Sequence, residues 1–92
     1  MDSIAEKVKK ILLVKLEAVW IDITDNSPAH RNHPEAQRSG GGHFAITVVS
    51  KIFIGKPLTA RHRLVYAALK NLLGKRIHAL ALKTLTPEEF AQ

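Results

Sequence analysis

The apolar residues of this chain switch repeatedly between a helical period and a two-residue period, and the order of those switches leaves few folds open. Ile4, Val8, Ile11, Leu12 and Val19 recur at three- and four-residue steps while Lys7, Lys9 and Lys10 face away, the pattern of an amphipathic helix. Ser3 and Glu6 have the spacing of a capping box at its start. From Val19 to Asp25 the period becomes two, with Val19, Ile21 and Ile23 on one face and Trp20, Asp22 and Thr24 on the other. A second strand is expected from His43 to about Phe53, with Phe44, Ile46 and Val48 facing the core. Gly55-Lys56-Pro57 then turns the chain.

The spacing predicts a second helix that opens with Thr59 as N-cap and closes at Gly74. Val65, Ala68, Leu69 and Leu72 form its apolar stripe; Arg63, Tyr66 and Lys70 share its outer face. Alternation returns at Arg76–Lys83 and puts His78, Leu80 and Leu82 on one side, Ile77, Ala79 and Ala81 on the other. Thr86-Pro87-Glu88-Glu89 opens a last short helix. Two strands joined by a loop pair antiparallel, and a third reached through a helix pairs parallel. The expected fold is therefore α+β: one domain over residues 1–92, order α-β-β-α-β-α, with a three-stranded mixed sheet and helices on one face. Ninety-two residues bury only roughly 60–65% of the unfolded surface, which leaves no room for a deep interdomain cleft.

Composition narrows the function. The chain has no cysteine, so disulfides, cysteine zinc sites and cysteine nucleophiles are excluded, and any metal must be held by histidine or carboxylate. No apolar run approaches a membrane span. Asp2, Glu6 and Glu17, with no arginine among them, do not resemble an organelle transit peptide, and an intracellular, cytoplasmic protein is expected, with nucleus and mitochondrion left open. All eight acidic residues lie at positions 2–35 or 88–89, so residues 36–87 are of one sign. That field suits a solvated surface, an acidic partner or nucleic acid, with Lys56, Arg61, Arg63, Lys70, Lys75 and Arg76 as the expected contacts.

Residues 26–42 lose all periodicity, and a loop of this length in a compact domain tends to bind something. It carries His30 and His33, whose spacing suits a metal but also suits two solvated rings. His43 and His62 read as partly buried rings with backbone partners. His78 opens a strand beside leucines and is either a satisfied core group or a preoriented ligand. Asp22 and Asp25 fall on opposite strand faces, no Gly-x-Ser-x-Gly, phosphate-loop or dinucleotide pattern occurs, and Gly40-Gly41-Gly42 lacks a following helix. No enzyme is expected. The element order is like that of a KH domain of the second type, but the Gly-x-x-Gly clamp is missing.

His43-Phe44, Val48-Val49-Ser50, Phe53, Gly55, Arg61-His62-Arg63-Leu64-Val65-Tyr66, Ile77-His78-Ala79-Leu80 and Thr86-Pro87 together resemble the BolA family in order and spacing, over essentially the whole chain. The resemblance implies the KH-like BolA fold. It also implies a protein that is a monomer when alone, without cofactor, and that pairs with a monothiol glutaredoxin. In such complexes a 2Fe-2S cluster is bridged by a glutaredoxin cysteine, a glutathione sulfur, a histidine of the last BolA strand and a histidine or cysteine of the loop between the first two strands. His78 matches the strand ligand and His30 the loop ligand, with His33 as second choice. The family also includes DNA-binding transcriptional regulators, which makes the basic second helix and its adjacent turn the alternative functional surface. Two departures stand out: Gly40-Gly41-Gly42 replaces the usual Ser-Glu-Ser/Thr before His-Phe, and Phe90 replaces the usual tryptophan of the last helix.

Overall fold

The computed structural model describes residues 4–25, 42–74 and 76–92, and for His78 the backbone. Ser3, and with it the expected capping box, lies outside the described residues. Helix α1 runs Ile4–Lys15 and buries Val8 and Leu12. Leu16 and Ala18 continue the apolar contact past its end, where Glu17 takes a left-handed φ of 52° and breaks the helical path. Strand β1 is Trp20–Asp25, one residue shorter than expected. Val19 is 59% exposed and does not share the inward face; its N–H donates to Val49 O at 2.8 Å, and Ile21 and Ile23 alone supply the apolar side.

Strand β2 is Gly42–Val49 and ends before the expected Phe53. Ser50 stops it: its side-chain oxygen accepts from Ile52 N at 3.1 Å and starts a 3-10 turn over Lys51–Phe53. The same hydroxyl donates to Leu16 O at 2.6 Å, tying the end of α1 to the turn. The turn delivers Phe53 into the core, where it is fully buried. Helix α2 covers Leu58–Ala68, with Pro57 and not Thr59 at the N-cap and no side-chain cap bond. Proline fixes its own φ near the value this entry needs, so the chain turns into the helix before Thr59. Gly74 lies beyond the helix end, at φ +80° in the turns that lead to the last strand. Val65 and Leu69 are fully buried and Ala68 and Leu72 half-buried, as the stripe requires.

Strand β3, Ile77–Leu85, lies parallel to β2, while β1 and β2 are antiparallel, giving the mixed sheet β1-β2-β3. Its alternation is broken at the start. Gly42 pairs with Ile77 and His43 with Ala79, so residue 78 is extra: a β-bulge. Ile77 is 1% exposed and belongs to the core with Leu80 and Leu82, which corrects the expectation that it shares a face with Ala79 and Ala81. Helix α3, Pro87–Ala91, starts where expected with Thr86 as N-cap, and Glu89 completes a capping box with it that the sequence reading did not name.

The main core lies between the α1 and α2 pair and one sheet face: Val8, Leu12, Leu16, Val65 and Leu69 against Phe44, Ile46 and Val48. Trp20 stands on the opposite face of β1 from Ile21, and its ring lies 4.8 Å from that of Phe90 in α3. Val49, paired with Trp20, is fully buried. Among the described residues no helix is long and apolar enough to cross a membrane.

Candidate functional site

One end of the sheet collects the histidine-bearing parts of the chain. Asp25, the last residue of β1, pairs with Phe44, and Gly42, the first of β2, pairs with Ile77, the first of β3. The segment that carries His30 and His33 therefore leaves and re-enters at the end where His78 begins its strand. His30 and His33 themselves lie outside the described residues. A shallow cleft of about 310 Å³ opens here, lined by His43, Phe44, Ala79, Leu80 and Ala81. Phe44 is a core residue at 5% exposure, His43 is exposed, and the alanines keep the wall low. Among the described residues no group of three or more His, Cys, Asp or Glu side chains is placed to hold a metal ion.

The basic surface is smaller than expected. Arg63 and Lys70 are exposed on the outer face of α2, on either side of the 40%-exposed Tyr66, and Arg76 is exposed just before β3. Lys56 is half-buried, and Lys75 lies outside the described residues. Arg61 does not belong with them. It is 9% exposed; its Nε donates to Lys56 O at 2.7 Å, one Nη to Thr84 O at 3.1 Å, and both Nη atoms to the Glu89 carboxylate at 2.7 and 3.2 Å. Its task is to join α2 to β3 and α3. Sequence spacing held the signal: Arg61 precedes the buried Val65 by four residues and so falls on the apolar stripe.

Glu89 answers the guanidinium and caps its own helix. Its carboxylate accepts from Thr86 N at 2.9 Å, and its N–H donates to Thr86 Oγ1 at 3.1 Å. The Arg61 hydrogen bonds first, then that backbone N–H, lower its pKa from 4.5 to about 2. His62 is half-buried on the next helical position, at the margin of the stripe.

Fold and site define a small α+β module with His43 at one sheet end, next to the start of the strand that carries His78, and with cations on the second helix. The chain belongs to the BolA family: the family profile, described as BolA-like protein, matches residues 12–89. It is similar to BolA-like protein 2 of Homo sapiens, 38% identical over 92 residues that cover all of this chain and 95% of that protein. It is also similar to the DNA-binding transcriptional regulator BolA of Escherichia coli, 34% identical over 87 residues, 95% of this chain and 79% of that one. The solved structure of BolA1 from Arabidopsis thaliana matches with a TM-score of 0.78 and 34% identity, over 97% of this chain and 98% of the other.

Proposed function

We propose that this protein is a non-enzymatic partner of a monothiol glutaredoxin and supplies histidine ligands to a bridging 2Fe-2S cluster, in iron–sulfur trafficking or iron regulation. The observation that carries the reading is the convergence of three strand ends, which sets the origin and return of the His30 segment beside the start of the His78 strand. The donor chemistry fits. A 2Fe-2S cluster takes four protein-side ligands, this chain has no thiol, and two imidazoles would leave two iron positions for the glutaredoxin cysteine and glutathione. His78 and His30 are the proposed ligands, with His33 as the alternative in the loop. Bound in this way, the cluster supplies an iron–sulfur unit of higher potential than an all-thiolate one. A partner that works with glutathione would act inside the cell, in the cytoplasm in the first instance, with nucleus and mitochondrion as alternatives.

Mixing the protein with a monothiol glutaredoxin, glutathione and iron, and recording the visible spectrum, tests the reading. His78→Ala should abolish the cluster bands of the heterocomplex while keeping the fold. His30→Ala should weaken or alter them, because His33 lies close in sequence and can substitute. His62→Ala should leave them intact. The protein alone should show no cluster bands. A wild-type cluster in His78→Ala sinks the proposal.

A second reading has its own support. Arg63, Lys70 and Arg76 are exposed, residues 36–87 contain no acid, and the Escherichia coli relative is named as a DNA-binding transcriptional regulator. Contact through α2 and the turn that follows it would be electrostatic in the main.

A further inference from the structure

The bulge at the start of β3 bears directly on the histidine that the proposed function uses. From Ala79 to Leu85 the strand pairs one-for-one with His43 to Val49, and Leu80 and Leu82 face the core. Continued without interruption, that ladder would pair residue 78 with Gly42. It would then assign residue 78 to the core side and residue 77 to the open side. The chain does otherwise: Ile77 pairs with Gly42, is 1% exposed and fills the core position, and residue 78 has no partner across the strand.

What holds Ile77 there is the preceding turn. Ile77 N donates to Leu72 O at 3.0 Å, Ile77 O accepts from Gly74 N at 2.9 Å, and Arg76 N donates to Leu72 O at 2.9 Å. Gly74 adopts φ +80°, and a Cβ added there would meet nothing within 4 Å, so glycine is required by the backbone path alone. Burial of an isoleucine is favourable, whereas an imidazole in the same place would need a partner for each ring nitrogen. The apolar side chain thus decides which residue enters the core and which becomes the extra one. Bulges are rare in parallel ladders and recur where a side chain must be re-aimed near a functional site.

We infer that Ile77 is a positioning residue: by occupying the core place it creates the bulge that sets residue 78 outside the one-for-one ladder, and it thereby presents the proposed ligand. This rests on the reading of His78 as a ligand. The test compares Ile77→Val, Ile77→Thr and, as a control that loosens the same core away from the bulge, Val65→Ala. On the free full-length chain, the imidazole 15N signals of His78 are recorded by NMR. With a monothiol glutaredoxin and glutathione, the amount and circular dichroism of the bridged cluster are measured. Ile77→Val should match the wild type in both. Ile77→Thr, nearly the same shape as valine but polar, should shift the His78 signals and reduce cluster retention about 10- to 100-fold, the range seen when supporting residues around a metal ligand are lost. Val65→Ala should melt earlier and keep both readouts. If Ile77→Thr does not fold, Ile77→Ala takes its place in the same comparison. A folded Ile77→Thr with unchanged His78 signals and a cluster like that of Val65→Ala overturns the inference. An intact cluster in His78→Ala overturns the ligand reading instead, while the NMR comparison still decides whether Ile77 sets the bulge.

Discussion

Arg61 and Glu89, 28 residues apart, meet through two hydrogen bonds of 2.7 and 3.2 Å, and this pair ties the last helix to the second one. The two partners differ in setting: the Arg61 side chain is 10% exposed and that of Glu89 41%. The guanidinium is the more buried group, and two more of its donors serve backbone carbonyls. Charge-assisted, two-pronged geometry of this kind fixes direction as well as distance.

Acid should weaken the fold through Glu89. Its pKa is lowered from 4.5 to about 2, so its contribution to stability is fully present above the unfolded value and is lost as pH falls from 4.5 through 2. Denaturant midpoints of wild type and Glu89→Gln, measured from pH 6 to about pH 2, should converge across that window. Parallel curves would show that the pair does not act in this way.

Arg61→Lys keeps the charge and loses the fork. The lysine cannot reach Glu89 twice while also serving Lys56 O and Thr84 O, so a loss of about 1–3 kcal/mol is expected. Urea unfolding measures it. Combining Arg61→Lys with Glu89→Gln should cost less than the sum of the two, because both remove one contact.

Ser50→Ala should destabilise by about 1–3 kcal/mol, since it strips the buried Leu16 carbonyl of its donor and the 3-10 turn of its cap. Thermal melting of the variant gives the value. A change within error of zero would mean that the interior carbonyl finds another donor.

Nucleic acid, if bound through α2, should be bound weakly, without regard to sequence, and should be released by salt. Arg63→Gln or Lys70→Gln should each reduce the slope of log affinity against log salt by about 1. Arg61→Gln, provided it folds, should leave that slope unchanged, because Arg61 is turned inward onto Glu89. A sequence-selective complex that survives about 0.15 M salt would favour the regulator reading.

The elements were legible because each announces itself by period: the Val65–Leu72 stripe, the Ile21/Ile23 alternation and the Thr86-Pro87 helix start are all found where the pattern puts them. The sheet order follows from the connections. Three features were not legible in full, each for a physical reason. A bulge is a relation between two strands, and alternation along Arg76–Lys83 alone cannot show that Ile77 and Leu80 share a face. An arginine is read as outward by default, and its buried role needs a partner that lies 28 residues away. Ser50 looks like one more strand residue until its hydroxyl is seen to serve Leu16 and Ile52. At the site, the family pattern picked out His78 and the topology locates its strand end, whereas His30, His33 and Lys75 lie outside the described residues.

Trp20 is the single tryptophan of the chain, it stands on the first strand, and its ring touches Phe90 two positions from the last residue. The molecule thus carries a built-in optical reporter that joins the first strand to the last helix described. Indole emission shifts with the water around the ring, so undocking of the last helix registers as a red shift without any attached dye. With one tyrosine and three phenylalanines besides, the signal is nearly free of background, and the state of the carboxy-terminal segment can be followed while a partner binds elsewhere on the fold.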